Sequence, residues 1–311
     1  MIPTPTAQIQ EAPTARDVTF PGFNGFPLAG TVLPGSGPWF AVLVADSGPL
    51  DRDWSDPRMP THTGKAWAEW LQGQGVGSLR YDKRIAGTRD PGLNASLDAQ
   101  SGDIRAALQA ARQFPEAKGR KLLLVGHGEG ALLSLLVGME ADALVLLAMP
   151  TKTMAKTIED QLALQLPAER APANLAYLRS VFQAIREAKP TPVPGPDIYT
   201  LVGKMGKALM APETLRFVRD TLDLDPWVMA SRIAIPLAAV WGDRDVVVTK
   251  PVLIPPGFKG TTLEIHGANH HFRHDPRTLA ELDGATALEG YLDDKPLEDL
   301  TPLADWLKAL R

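Results

Sequence analysis

The sequence predicts an α/β fold, with a mostly parallel, doubly wound sheet that is interrupted by a block of helices. Within residues 17–150, short apolar segments of strand length alternate with helical segments, and the connections between them are short. The alternation stops at residue 151, and segments typical of buried strands return only after residue 230. An all-helical block inside such a sheet is typical of a cap over the carboxyl ends of the strands, where ligands bind.

Each element is predicted from its own pattern. Strands are expected where apolar residues run for strand length between turn residues, and helices where apolar residues recur every three or four positions. The predicted strands are 18–20, 28–33, 39–45, 77–81, 121–125, 143–148, 236–241 and 261–266. The predicted helices are 64–71, 103–114, the segment after residue 130, 154–166, 175–187, 198–209 and 213–222.

The composition is that of a soluble globular protein. A chain of 311 residues is long enough for one large domain that carries an insertion, and 44% hydrophobic with 22% charged residues is ordinary. We expect a flexible leader at 1–16, a core formed by 17–150 and 231–311, and a helical cap at 151–230. The net charge of −4 gives no basic surface, so nucleic acid and anionic membranes are not expected partners.

The cellular compartment is predicted from what the sequence lacks. The chain has no cysteine, which excludes disulfides and thiolate catalysis. No segment is apolar for long enough to span a bilayer, and residues 1–16 have neither the basic start nor the apolar stretch of a signal peptide. We therefore expect a cytoplasmic protein. The sequence does not determine the oligomeric state.

The segment after the fifth predicted strand carries the most informative pattern. It reads Gly126-His127-Gly128-Glu129-Gly130 and leads into a helix of small and apolar residues. This layout is that of the nucleophile elbow of serine hydrolases, Gly-x-Ser-x-Gly, with Gly128 where the serine belongs. The pattern predicts a hydrolase site that has lost its nucleophile.

Two other interpretations of this segment remain open. Residues 126–131 also match Gly-x-Gly-x-x-Ala, a dinucleotide-binding fingerprint. That function requires an acid at the end of the following strand, whereas the nearest acids, Glu140 and Asp142, precede that strand. The segment could also be a tight strand–helix turn without a chemical role.

An acid and a histidine follow the last two predicted strands. Asp245 lies after strand 236–241, and His270 lies 25 residues later, after strand 261–266. The order of nucleophile, acid and histidine is that of the α/β-hydrolase triad. Asp243 is a rival for the acid, and three further histidines compete with His270: His266, His271 and His274.

Two more motifs accompany these segments. Residues 47–53 read Ser-Gly-Pro-Leu-Asp-Arg-Asp after the third strand, and residues 80–84 read Arg-Tyr-Asp-Lys-Arg at the fourth. With the elbow and the acid–histidine pair, they give four motifs in order. From residue 17 onward the chain resembles α/β-hydrolases with a helical cap, close to the serine aminopeptidase S33-like esterases and acyl hydrolases of bacteria.

The resemblance implies an α/β-hydrolase fold and a role for each site residue. The family patterns Gly-x-x-Asp and Asn-His-x-Phe favour Asp245 as the acid and His270 as the general base. The oxyanion hole would consist of the backbone N–H of Glu129 and a group from the loop after the third strand, most simply Ser47. His127 is expected to pack beneath the elbow. Residues 82–84 are expected to form structural ion pairs.

The histidine spacing also raises the possibility of a metal site formed by His266, His270, His271 and His274. His266, His270 and His274 would share one face of a helix, but Gly267 and the Asn-His corner argue against a helix there. No His-Glu-x-x-His pattern is present. We expect no metal and no cofactor.

These observations predict a serine-type carboxyl-ester (acyl) hydrolase that acts on a small-molecule ester or acyl substrate and is inactive, or nearly so, because of Gly128. Loss of a triad serine costs about 10⁶-fold in kcat in a protease. Ser134 lies too far along the next helix to replace it. The sequence favours an engineered removal of the serine. The alternatives are a natural pseudo-hydrolase that binds a small apolar ligand and a dinucleotide-binding enzyme.

Overall fold

The computed structural model describes residues 14–310, except 88–92, 283–285 and 293–294. It contains an eight-stranded sheet in the order β1-β2-β4-β3-β5-β6-β7-β8. β1 and β2 run antiparallel to their neighbours and the other strands are parallel. The strands are β1 (Arg16–Pro21), β2 (Pro27–Leu33), β3 (Trp39–Val44), β4 (Gly77–Tyr81), β5 (Lys121–His127), β6 (Ala143–Leu147), β7 (Leu237–Gly242) and β8 (Thr261–Ile265).

Helices cover both faces of this sheet. The central strands β3, β6 and β7 are buried along their whole length, as their unbroken apolar sequences require. The α-helices of the described residues are α1 (Thr63–Gly73), α2 (Leu97–Gln113), α3 (Glu129–Val137), α4 (Met154–Gln165), α5 (Ala171–Arg186), α6 (Thr200–Leu209), α7 (Pro212–Thr221), α8 (Pro226–Ala230), α9 (Thr286–Tyr291) and α10 (Thr301–Ala309). Residues of α2 and α3 pack on one face, and residues of α1 and α10 on the other. The predicted doubly wound sheet is confirmed.

The helical block, residues 151–230, lies between β6 and β7 in the chain and consists of α4 to α8. It has a hydrophobic core of its own, in which α5 supplies Leu178, Val181, Phe182 and Ile185. These residues of α5 recur three or four positions apart, so one face of the helix packs against the rest of this core, as expected for an amphipathic helix. The block contains no strand among its described residues.

The structure differs from the sequence prediction mainly at the ends of elements. α2 begins at Leu97, six residues before the predicted start, because the side chain of Ser96 caps it by accepting from the N–H of Ala99. The short helix α8 and the C-terminal helix α10 were not predicted. The predicted leader lies largely outside the described residues, and its last residue, Arg16, is the first residue of β1.

No helix within the described parts of the chain is both long and apolar enough to cross a membrane.

Candidate functional site

The elbow is a sharp turn between β5 and α3. β5 ends at His127, α3 begins at Glu129, and Gly128 between them has φ +52° and ψ −115°. Only glycine adopts such a conformation without strain. A Cβ at Gly130 would collide with the carbonyl oxygens of Val44 and Ala45, so this second glycine lets α3 approach the end of β3. The local sequence thus brings the turn against the neighbouring strand.

Asp245 and His270 form a buried pair at the same edge of the sheet. Both follow strands, β7 and β8, that are parallel neighbours, so their carboxyl ends lie side by side. His270 Nδ1 is 2.8 Å from Asp245 Oδ2. Asp245 Oδ1 accepts from the N–H groups of Val247 and Val248 at 2.7 and 2.8 Å. These two backbone hydrogen bonds therefore fix the orientation of the carboxylate toward the imidazole of His270.

The rival residues take other partners. Asp243 accepts from the N–H of Gly267 at 2.7 Å and lies 3.3 Å from His266 Nδ1. His271 Nδ1 is 3.0 Å from Thr63 Oγ1, and His274 Nδ1 faces Glu298. Because the histidines at 266, 270 and 274 pair with three different carboxylates, they do not form the ligand set that their spacing suggested.

The two predicted oxyanion donors point at a single atom. The backbone N–H groups of Ser47 and Glu129 both donate to Oδ1 of Asp46, at 2.6 and 2.7 Å. The structure therefore brings these two N–H groups together beside Gly128. The group that they hold is a carboxylate that the sequence analysis did not consider.

Asp46 occupies the volume that a side chain at position 128 would need. A Cβ placed on Gly128 would overlap both Oδ1 and Cγ of Asp46. The other carboxylate oxygen, Oδ2, lies 3.0 Å from His270 Nε2. The signal for Asp46 was available in the sequence, because it stands at the carboxyl edge of the sheet just after β3. The Ser-Gly-Pro-Leu-Asp-Arg-Asp motif begins one residue later, at Ser47, so the motif does not include Asp46.

The imidazole of His270 lies between two carboxylates, those of Asp245 and Asp46. Burial disfavours the charged imidazole of His270, but Asp245 and Asp46 outweigh burial and raise its pKa to about 10. Burial also disfavours the ionised Asp46, but the hydrogen bond and the charge of His270, together with the N–H of Glu129, hold the pKa of Asp46 far below the usual range. In this arrangement His270 is an imidazolium at neutral pH, so its Nε2 cannot accept a proton.

His127 packs beneath the elbow, where the sequence placed it. Its ring stacks on Trp54, with 5.3 Å between ring centroids and 5° between the planes. Nε2 lies 2.8 Å from the carbonyl oxygen of His270. Among the described residues Nδ1 has no hydrogen-bond partner, and it lies 3.8 Å from Asp46 Oδ2. Burial, followed by the charge of His270, lowers the pKa of His127, which is therefore neutral.

The motif at residues 80–84 forms ion pairs around the site. Lys83 Nζ donates to Glu129 Oε1 at 2.9 Å and to the carbonyl oxygen of Asp46 at 2.7 Å. Arg84 makes two hydrogen bonds of 2.6 Å to the carboxylate of Asp103. These contacts connect β4 with α2, α3 and the loop after β3, as expected for structural ion pairs. Asp82 likewise holds Arg52.

A cavity of about 180 Å³ opens beside Gly128. Its polar end is formed by Asp46, Gly128 and His270. Its apolar wall is formed by Leu132, Met154, Ile158, Val247 and Val248. Helix α4 of the helical block thus supplies part of the wall. Ser134 is fully buried beside Gly126 and does not line this cavity.

One curated protein is similar to this chain in sequence. Esterase EstD of Thermotoga maritima is 30% identical over 240 residues, which cover 76% of this chain and 53% of EstD. The chain therefore spans about half the length of this relative. No protein-family model matches the chain.

Solved structures share the architecture at low sequence identity. An esterase from Pyrococcus furiosus has a TM-score of 0.55 at 14% identity, with 95% of this chain and 91% of that chain covered. The α/β hydrolase GrgF from Penicillium has a TM-score of 0.51 at 17% identity, with 83% and 91% covered. A dienelactone hydrolase from Anabaena variabilis has a TM-score of 0.52 at 12% identity, with 96% and 98% covered. The chain therefore has the α/β-hydrolase fold, as the sequence predicted.

Proposed function

We propose that this protein is a capped hydrolase of the carboxyl-ester (acyl) type whose serine mechanism is inactive because Gly128 stands at the nucleophile position. One observation carries the proposal: the Asp245–His270 pair and the N–H groups of Ser47 and Glu129 converge beside Gly128. These are the parts that acyl transfer requires around a nucleophile, namely an oriented base and two donors for an oxyanion. The similarity to an esterase supports the same reaction class.

The geometry also explains why the serine mechanism is unavailable. With a hydroxyl at position 128, His270 would take its proton and Asp245 would stabilise the resulting imidazolium. Gly128 offers no hydroxyl. In addition, Asp46 holds His270 Nε2 and occupies both oxyanion donors. A substrate carbonyl therefore reaches these donors only when Asp46 moves away.

The cavity indicates the substrate class. It is mostly apolar and its volume of about 180 Å³ suits a small acyl or alkyl group. Met154 and Ile158 come from α4, so we propose that the helical block, residues 151–230, is a cap that selects this group. We propose a cytoplasmic location from the sequence alone.

The fit between Asp46 and Gly128 supports a natural origin of the missing serine. With any side chain at position 128, the Asp46 carboxylate could not keep its present position, in which it accepts from Ser47, Glu129 and His270. The two residues are therefore complementary as a pair. This complementarity favours a natural loss of the serine over the engineered removal that the sequence alone favoured.

A dinucleotide-binding function is disfavoured by the same contact. A pyrophosphate would have to accept hydrogen bonds at the N-terminus of α3. The Asp46 carboxylate already accepts from Glu129 there, and a second anion beside it would be repelled.

The test is to restore a serine and remove the carboxylate that blocks it. We expect the double variant Gly128→Ser/Asp46→Ala to hydrolyse p-nitrophenyl butyrate and to react covalently with a fluorophosphonate probe, both in EDTA. The unchanged chain and Asp46→Ala alone should do neither, because they lack the hydroxyl. Gly128→Ser alone should gain less than the double variant, because Asp46 competes for His270 and for the two N–H donors.

Addition of His270→Gln to the double variant is the matched control and should abolish labelling. A folded double variant that neither labels nor hydrolyses any short-chain ester would overturn the proposed function. Circular dichroism establishes that each variant is folded.

A further inference from the structure

Three side chains at the elbow direct nitrogen and oxygen atoms to one point. Asp46, His127 and His270 each offer one ligand atom, and these atoms lie within 4.8 Å of one another. Within the described residues, this is the one group of histidine and carboxylate side chains that meets this criterion. We propose that these three residues bind a transition-metal dication of the Zn²⁺ type, beside Gly128.

The first argument is the bare nitrogen of His127. A backbone carbonyl oxygen only accepts, so the contact between His127 Nε2 and the carbonyl oxygen of His270 puts the ring proton on Nε2. Nδ1 then carries a lone pair. His127 is completely buried, and its Nδ1 has no hydrogen-bond partner among the described residues. An unpaired buried acceptor indicates a site for a water or an ion, and the Asp46 carboxylate 3.8 Å away favours a cation.

The second argument is that each of the three side chains is held by a hydrogen bond at the atom that would not bind the metal. Metal-binding histidines nearly always donate their second ring N–H to a carboxylate or a backbone carbonyl, and ligating carboxylates are hydrogen-bonded in turn. His270 Nδ1 contacts Asp245, and His127 Nε2 contacts the carbonyl oxygen of His270. Asp46 Oδ1 accepts from two backbone N–H groups, so Oδ2 would be the ligand atom. A metal ion would take the place of the His270 Nε2 proton, which now lies between Nε2 and Oδ2.

The three ligand atoms lie within 4.8 Å of one another, so the side chains would close around an ion when it binds. Bonds of about 2.0–2.1 Å to a central ion place tetrahedral ligands about 3.3 Å apart. Asp46 Oδ2 is 3.0 Å from His270 Nε2 and 3.8 Å from His127 Nδ1. Two imidazole nitrogens with one carboxylate oxygen suit Zn²⁺ and its neighbours in the transition series, whereas Mg²⁺ and Ca²⁺ prefer oxygen ligands alone.

The fourth coordination position faces the substrate cavity. Asp46, Gly128 and His270 line the cavity, so an ion bound to Asp46 and His270 would be reached from it. Three protein ligands with one open position are typical of catalytic zinc sites, in which the metal binds water and lowers its pKa. The absence of a side chain at position 128 is what allows the Asp46 carboxylate to join this group.

This chemistry would supply the nucleophile that Gly128 lacks, and here the inference rests on the proposed function. The metal-bound hydroxide attacks the carbonyl carbon of the ester, so that a new C–O bond forms. The bond from that carbon to the alkoxy oxygen then breaks, and the departing alkoxide takes the proton of the hydroxide. The products are the carboxylate and the alcohol. A new water then replaces the carboxylate on the metal and loses a proton to solvent, which regenerates the hydroxide.

Metal binding is tested directly, without reference to activity. The chain is treated with a chelator, exchanged into buffer and titrated with Zn²⁺ by calorimetry, while Co²⁺ is followed by its visible absorption. We expect one ion per chain, a tetrahedral Co²⁺ spectrum and no binding of Mg²⁺. Asp46→Asn and His127→Gln should each weaken Zn²⁺ binding by at least 100-fold.

His266→Gln is the matched control, because His266 is an exposed histidine that lies outside the group. It should bind Zn²⁺ like the unchanged chain. If His127→Gln fails to fold, the nearly isosteric Asp46→Asn still decides the question. Absence of Zn²⁺ binding, or equal binding by the unchanged chain and Asp46→Asn, would overturn the site.

The catalytic use of the metal is tested separately. The Zn²⁺-loaded chain should hydrolyse p-nitrophenyl butyrate, and the chelated chain should not. Zinc binding without hydrolysis would overturn the role of the metal in ester hydrolysis. The serine-restored variant in EDTA tests the proposed function independently, so the failure of one proposal is distinguishable from the failure of the other.

Discussion

Two buried polar clusters at the carboxyl edge of the sheet differ in how completely their groups are paired. In the first, which we call the arginine cluster, Arg84 donates two hydrogen bonds to Asp103, and both side chains are 4% exposed. In the second, the elbow cluster of Asp46, His127, His270 and Asp245, two carboxylates share one imidazole. Within the described chain, the other imidazole keeps a bare nitrogen.

The difference separates a structural role from a chemical one. A buried ion pair whose groups are all satisfied gives nothing to a ligand, and its removal leaves an uncompensated charge. A buried cluster that retains an unpaired nitrogen lone pair, and that borders a cavity, is able to bind a ligand such as a cation. Similar burial and similar residue types therefore lead to different functions in the two clusters.

The largest effect is expected from breaking the arginine cluster. Arg84→Ala leaves the Asp103 carboxylate buried without its cation, so we expect the free energy of unfolding to fall by about 3–5 kcal/mol. Urea denaturation measures it. Arg105→Ala is the control, because the pair of Arg105 with Glu140 is 45% and 37% exposed and should contribute little. Equal effects of the two substitutions would contradict the structural role of Arg84.

The next largest effect is expected from filling the elbow cluster with metal. A ligand that binds only the folded state stabilises it by about 2.7 kcal/mol when its free concentration is 100 times Kd. We therefore expect Zn²⁺ to raise the free energy of unfolding of the chelated chain by this amount at that concentration. Asp46→Asn should show little of this gain. A rise in stability that Asp46→Asn fully retains would locate the metal elsewhere.

A smaller effect is expected from Gly128→Ala. The alanine adopts a positive φ and its Cβ overlaps the Asp46 carboxylate, so we expect a loss of about 1–3 kcal/mol in the free energy of unfolding. Adding Asp46→Ala removes the overlap but not the backbone strain. The double variant should therefore lose less than the sum of the two single losses, and strict additivity in urea denaturation would disprove the contact.

The smallest effect is expected at the surface of the helical block. Arg186 pairs with Asp223 at 2.6 Å, but the two side chains are 40% and 55% exposed. We expect Arg186→Ala to lower the free energy of unfolding by about 0.2–1 kcal/mol, and by less at high salt. A loss as large as that of Arg84→Ala would mean that burial does not distinguish these ion pairs.

Much of the fold and part of the site follow from local sequence. The apolar runs of β3, β5, β6 and β7 identify a sheet buried on both faces, and the glycines around residue 128 identify the elbow. The family patterns Gly-x-x-Asp and Asn-His-x-Phe favoured Asp245 and His270 over their neighbours, and the structure pairs these two residues. The start of α2 was missed because a capping serine, rather than an apolar residue, determines it.

The sequence by itself determined the alternation of strands and helices in the core, the turn at Gly128 and the edge of the sheet at which Asp245 and His270 lie. These features depend on residues close together in the chain or on the rule that parallel strands end at one edge. Only the tertiary structure decided what fills the space left by Gly128. Asp46, His127 and His270 meet there from three separate segments, and side-chain direction at a sheet edge is set by packing between segments, which no local pattern records.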